Sequence, residues 1–199
     1  MKTASARHTP ATDQLPTSKR VLLLIDFINP LQFSGANAIT PQALEAAQNT
    51  ADLKRSLRKA GVPAIYANDN YGRWQSDFKS LVRQCVQLGG VPAQMARLLC
   101  PAADDLTILK PRHSAFYGSP LALLLQKIQA EEIIITGLST DICVQFTAMD
   151  AFLRGFQVRV PADCTAAESP TCKQQSLKYM RRVLNCDTAP SAFLHPQHT

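Results

Sequence analysis

The stretch Glu131–Phe156, EEIIITGLSTDICVQFTAMDAFLRGF, decides the fold. It opens with a short, continuous apolar run whose length and β-branched content suit a strand buried on both faces. The run passes through a small polar turn straight into a helical pattern that reaches Leu153 and is stopped by Gly155. Thr140 and Asp141 are both candidates to cap that helix, and either choice leaves Cys143 in its first turn. A thiol so placed stands at the carboxyl end of a strand, helped toward thiolate by the positive end of the helix. Lone cysteines are more often small core hydrophobes, so placement alone does not make Cys143 a nucleophile.

The same strand-then-helix unit recurs on both sides of this stretch. Upstream lie VLLLI (Val21–Ile25), VPAIYAN (Val62–Asn68) and LTILK (Leu106–Lys110); downstream lies FQVRV (Phe156–Val160). Between them the spacing predicts a helix after Thr40, with Pro41 in its first position, running through Leu44, Ala47, Leu53 and Leu57 to Gly61. Further helices are expected over Ser76–Leu88, Ala93–Leu99, Leu121–Ala130 and Ser169–Leu184. Five or six short apolar strands, each followed by a helix, imply an α/β protein: a three-layer αβα sandwich around a mostly parallel sheet.

The chain has 199 residues, 46% hydrophobic and 18% charged, which suits one globular domain with a core of its own. Residues 1–19 are polar and rich in Thr, Ser and Pro, and are expected to be a disordered lead-in; the domain is expected over 20–187 and a tail over 188–199. No apolar run has the length of a signal sequence core or a membrane span, so the default placement is cytoplasmic, with no membrane partner. Six cysteines show no CxxC pair or dense framework that would call for an oxidising compartment. The net charge of +6 is partly local to the first twenty residues, and no basic stripe interleaved with aromatics points to nucleic acid. Neither GxGxxG after the first strand nor a phosphate-binding GxxxxGK[ST] occurs, so no nucleotide cofactor is expected.

In a parallel sheet, ligands bind beyond the carboxyl ends of the strands. Asp26, Lys110 and Cys143 fall there by three independent readings. Asp26 is either a carboxylate capping its loop or a general base that takes the thiol proton and returns it to a leaving group. Lys110 either snorkels outward or, beside Asp26, orients the carboxylate, favours thiolate and stabilises developing negative charge. The backbone N–H groups of Cys143 and of the preceding turn are natural oxyanion donors. Cys164, after Asp163, is the only rival thiol. His113, in the loop PRHSAFYG, is a candidate substrate contact or supporting donor, or simply a loop residue. His8, His195 and His198 lie near the chain ends, and no HxxxH, DxH or CxxC spacing appears, so no metal is expected.

Three segments, LLLIDFINP around Asp26, LKPRHSAFYGSPL from Leu109 and GLSTDICVQFTAMDAFLRGFQVRVPADC from Gly137, make the chain resemble the isochorismatase-like cysteine hydrolase superfamily, which includes nicotinamidases, N-carbamoylsarcosine amidase and ureidoacrylate amidohydrolases. The resemblance implies a Rossmann-like sheet and an Asp–Lys–Cys triad of Asp26, Lys110 and Cys143. It also implies a cis peptide at Leu138–Ser139 that offers the Ser139 N–H to an oxyanion, and a homo-oligomer, dimer or tetramer. Nicotinamidases hold a metal with an Asp-x-His pair after the second strand and a further His; this chain has Asn68, Asp69, Asn70 and Tyr71 there. Isochorismatases that cleave an enol ether do not rely on the cysteine, so its presence here favours covalent amide chemistry. Around the triad, Asn70, Tyr71, Arg73 and Trp74 are expected to shape the pocket, with Arg73 on a substrate carboxylate and the two aromatics as a wall. Phe27, Phe116 and Tyr117 are further candidate walls, with ordinary core packing as the other reading. The expected activity is metal-independent hydrolysis of a C–N bond in a small amide or ureido compound. The alternatives are an enol-ether or ester hydrolase and an inactive binding protein on the same fold.

Overall fold

The computed structural model describes residues 15–194. Its sheet is wholly parallel, in the order β3-β2-β1-β4-β5, built from β1 (Arg20–Ile25), β2 (Ala64–Asp69), β3 (Leu106–Lys110), β4 (Glu132–Leu138) and β5 (Gln157–Arg159). A sixth strand, β6 (Thr165–Ala166), follows β5 through a single 3₁₀ turn rather than a helix and pairs with the carboxyl end of β4. The order turns back on itself between β1 and β4, and that reversal opens a crevice at their carboxyl ends.

Alternation along each strand sorts its side chains between two cores. Leu22 and Leu24 of β1, Tyr66 of β2 and Ile134 of β4 face one layer, α1 (Ala36–Lys59), α2 (Phe78–Leu88) and α3 (Gly90–Leu98). Val21, Leu23 and Ile25, with Ile65, Ile133 and Ile135, face the other, α4 (Leu121–Ile128), α5 (Gln145–Leu153) and α6 (Pro170–Val183). Both faces are covered, which is why the strands read as continuous apolar runs. The expected three-layer αβα architecture is what the chain adopts.

Several boundaries differ from expectation. Helix α1 begins at Ala36, not after Thr40, so Pro41 lies inside it. Only the bond that a residue 41 N–H would give to the Asn37 carbonyl is lost, and the Thr40 hydroxyl donates to the Ala36 carbonyl at 2.6 Å. Helix α2 starts two residues late, behind Asp77, which accepts the Ser80 N–H at 2.8 Å. Helix α3 starts early because Pro92 falls in its first turn, where the N–H is unpaired in any case. The described residues just outside 20–187 make contacts with the body. The Ser18 N–H donates to the Ile128 carbonyl, and the Lys19 carbonyl accepts from Glu131 and Glu132. Beyond 187, Ser191 bonds to Asp163 and Leu194 is buried in the first core. The remainder of the lead-in and tail, with His8, His195 and His198, lies outside the described residues.

One glycine fixes how closely the two site-bearing strands approach. Gly137 of β4 pairs with Ile25 of β1 and has φ 138°, and a Cβ there would overlap the Ile25 carbonyl. Gly137→Ala is expected to destabilise the protein by about 2–3 kcal/mol in urea unfolding, the usual penalty for an added group with no room.

Candidate active site

Three strand ends deliver three reactive groups to the crevice. Asp26 follows β1 in a left-handed turn (φ 53°), an uncommon conformation for a non-glycine residue. That turn carries its carboxylate across the end of β2: Oδ1 accepts the Asp69 N–H at 2.7 Å and Oδ2 lies 2.8 Å from Lys110 Nζ. Lys110, the last residue of β3, has no exposed surface. Its ammonium also donates to the Arg112 carbonyl at 3.3 Å and reaches Cys143 Sγ at 3.6 Å, with Asp69 Oδ2 at 3.8 Å. Lys110 thus stands between the Asp26 carboxylate and the Cys143 thiol. Asp26, Lys110 and Cys143 are therefore brought together with Lys110 as the shared contact.

Cys143 sits in a π turn, Thr140–Val144, that precedes α5. Such a turn inside a helix start is a recurrent site feature. Neither Thr140 nor Asp141 caps the helix as expected: Ser139 occupies that position without a side-chain bond, while Thr140 Oγ1 and one Asp141 oxygen are buried unpaired. The Leu138–Ser139 peptide is cis, as the resemblance implied, and the Ser139 N–H has no backbone acceptor among the described residues.

The electrostatics correct one expectation. Burial, and then the Asp26 charge, push the Cys143 thiol above its ordinary value, and Lys110 offsets this only in part. Desolvation and a neighbouring carboxylate both oppose a negative charge on the sulfur, against the helix start that favours it. Burial likewise raises Asp26, against the pull of Lys110. For Lys110, burial works downward, but Asp26 and Cys143 outweigh it and hold the ammonium. Asp26→Asn is accordingly expected to speed iodoacetamide alkylation of Cys143 at neutral pH while abolishing turnover. Lys110→Met should slow the alkylation; peptide mapping of the labelled thiols reads both.

The other candidates fall into four groups. His113 is exposed, with Nδ1 3.9 Å from Cys143 Sγ and its ring packed on Phe146 at 5.6 Å between centroids. Asn70, Tyr71 and Arg73 line a cavity of about 210 Å³ beside Asp69, together with Asn29 and Gln84. Tyr71 adopts φ 51°, and burial of its hydroxyl end among the charges of Asp26 and Asp69 holds the phenol well above its ordinary range. Trp74 and Tyr117 are largely exposed and are not among the residues lining this cavity. Phe27 and Phe116 are corrected to core residues: Phe27 has no exposed surface and packs in the first core, while Phe116 packs in the second against Phe156 and beneath Arg154. Cys164, the rival thiol, is fully buried and pushed up to about 12. Asn29 and Gln84 were missed, although the Asn-Pro pair at 29–30 is a turn signal at a strand end. Among the described residues, no three His, Cys, Asp or Glu side chains are grouped to hold a metal ion, and no helix is long and apolar enough to cross a membrane.

The fold is a parallel αβα sandwich that brings a carboxylate, an ammonium and a thiol together beyond its strand ends. The chain belongs to the isochorismatase family, whose Isochorismatase domain matches residues 20–189. It is 34% identical over 165 residues to the uncharacterized isochorismatase family protein YaaI of Bacillus subtilis (strain 168), covering 83% of this chain and 90% of that one. It is 28% identical over 154 residues to maleamate amidohydrolase of Pseudomonas putida, covering 73% and 71%. The crystal structure of N-carbamoylsarcosine amidase from Thermoplasma acidophilum superposes with a TM-score of 0.68 at 25% identity, covering 87% of this chain and 97% of that one.

Proposed function

We propose that this isochorismatase-family protein hydrolyses the C–N bond of a small amide or ureido compound through a covalent acyl-enzyme, without a metal. The observation that carries the reading is the cluster itself: Lys110 Nζ lies 2.8 Å from Asp26 and 3.6 Å from Cys143 Sγ at the mouth of the crevice. Similarity to maleamate amidohydrolase and to N-carbamoylsarcosine amidase supports amide over enol-ether chemistry.

In this mechanism Cys143 passes its proton to Asp26 as the sulfur attacks the substrate carbonyl carbon. Proton transfer and attack are coupled, because the resting thiol lies above its ordinary pKa and a free thiolate would face the Asp26 charge. The carbonyl oxygen becomes an oxyanion held by the N–H groups of Ser139 and Cys143. Asp26 returns the proton to the nitrogen, the C–N bond breaks, and the amine leaves behind a Cys143 thioester. Water then attacks the thioester carbon and gives a proton to Asp26. The C–S bond breaks, the acid departs, and the proton returns to sulfur. Lys110 stays an ammonium throughout; burial makes Asp26 the more basic, and Lys110 opposes that shift and so favours an ionised carboxylate at rest. The acid limb of kcat/KM should lie above the ordinary carboxylate value, since Asp26 is raised and must be ionised in the free enzyme.

The test is a metal-free screen of small amides and ureides, with acid quench during turnover and intact-mass measurement. An adduct of the acyl mass, mapped to Cys143 and absent from Asp26→Asn, is expected. Turnover with no adduct under rapid quench, in an enzyme indifferent to loss of Cys143, would reject the covalent route.

A further inference from the structure

The Cys143 sulfur is approached from the protein interior by Lys110 Nζ at 3.6 Å and from the surface by His113 Nδ1 at 3.9 Å. Lys110 has no exposed surface and His113 is exposed, so the two differ in access as well as in chemistry. An ammonium has donors only and takes no proton from a thiol. A neutral imidazole can: with its hydrogen on Nε2, Nδ1 presents a lone pair to the sulfur. Among the described residues Nε2 has no hydrogen-bond partner, so no protein group holds the ring in the other tautomer. The thiol, which burial and the Asp26 charge hold above its ordinary value, needs an acceptor for its proton before it can attack.

The helix that follows the sulfur also fixes His113. Two residues beyond the histidine, the Ala115 N–H donates to Thr147 Oγ1 at 3.0 Å, and the same hydroxyl donates to the Cys143 carbonyl at 2.7 Å. The Ser114 hydroxyl donates to Asp150, one turn further along α5. The imidazole itself packs on Phe146, with 5.6 Å between ring centroids. On the other side of the histidine, the Arg112 carbonyl accepts from Lys110 Nζ at 3.3 Å. These ties hold the ring beside the thiol before any substrate arrives. A separation of 3.9 Å is long for a reacting pair, but such contacts tighten in the substrate complex.

We infer that Cys143 and His113 form a second, solvent-side dyad that hydrolyses aryl esters without Asp26. The inference rests on Cys143 as an acyl-forming nucleophile and not on the amide reading. Amide cleavage needs a proton delivered to the departing nitrogen, the part given to Asp26. An aryl ester releases a phenolate, which leaves without one, so the sulfur needs only a proton acceptor. As Sγ attacks the ester carbonyl and the C–S bond forms, the thiol proton passes to Nδ1. The C–O bond to the aryl group breaks, the phenolate departs, and the exposed imidazolium gives its proton to solvent. Water then attacks the thioester carbon and gives a proton to Nδ1. The C–S bond breaks, the acid departs, and Nδ1 returns that proton to the sulfur.

The test follows hydrolysis of 4-nitrophenyl acetate, by release of 4-nitrophenolate, in the parent and in Asp26→Asn, which closes the amide route. Steady-state turnover is expected in both and in neither once Cys143→Ala is added. Placed in Asp26→Asn, His113→Ala should lower kcat/KM about 100-fold or more, the scale of general base catalysis. Added imidazole should restore part of that loss, beyond its own reaction with the ester, because the ring it replaces was exposed. His113→Phe keeps an aromatic ring on Phe146 but has no nitrogen, and should be as slow as His113→Ala. The dyad is overturned if Asp26→Asn shows only a single burst, or if its turnover is indifferent to His113→Ala. It is equally overturned by a loss that His113→Phe escapes or imidazole does not restore, since packing alone would then explain the histidine. Amide hydrolysis by the parent is scored separately. Amides cleaved without esters would keep the amidase reading and reject the dyad; esters cleaved without amides would do the reverse.

Discussion

Cys143→Ala is expected to lower kcat by about 10⁴-fold or more, the scale seen when a covalent nucleophile is removed, while the protein stays folded. The two effects separate because of where the residue sits. Cys143 is partly exposed at the crevice, so the lost sulfur leaves little buried void. The Asp26–Lys110 pair, which is buried, remains intact beneath it. Thermal unfolding should therefore move little while turnover disappears. Residual activity near the parent level would instead mean that Asp26 activates water directly, as the enol-ether alternative requires. A fully folded variant that still binds substrate-like amides with unchanged affinity would place the loss in chemistry rather than recognition.

Lys110→Met carries the largest expected effect on stability. Lys110 has no exposed surface and Asp26 keeps 5%, so removing the ammonium leaves a buried carboxylate with no counter-charge within ion-pairing distance. Losing one partner of a buried pair typically costs about 3–5 kcal/mol, because the remaining charge is neither solvated nor matched. The sign of the pH dependence follows from Asp26, which burial already raises and which loses its chief opposing influence in this variant. A carboxyl whose folded pKa lies above its unfolded value favours the fold while protonated and loses that contribution as pH rises through the folded value. The deficit of Lys110→Met should thus be greatest at neutral pH and shrink as pH falls toward the folded pKa of Asp26. Adding Asp26→Asn should recover much of the loss at neutral pH. Urea unfolding of the two single variants and the double variant checks all three statements, and a pH-independent deficit would mean the lysine matters for packing alone.

The two reactive strand ends nearest in sequence to each other are not the two nearest in the sheet. Asp26 and Lys110 are separated by β2, yet the left-handed turn at Asp26 and the full reach of a lysine bring them to 2.8 Å. Each was legible alone, as a polar residue closing an apolar run. Their contact was not, because it depends on strand order and on a turn with no glycine to announce it.

The sequence by itself determined the layers and the three strand ends. Apolar runs of strand length, helical spacing, and stops at Gly61 and Gly155 are set by neighbours within a few residues, and these are physical preferences of the local chain. Only the tertiary structure decided what those ends do to one another. It buried Phe27 and Phe116, gave α1 an extra turn through Pro41, and set Ser18, Lys19 and Leu194 against the body. It also raised the thiol that a helix start alone would have lowered, since desolvation and the Asp26 charge sum over segments far apart in the chain. The cavity beside Asp69 has the same origin: Asn29 and Asn70, 41 positions apart in sequence, line it together.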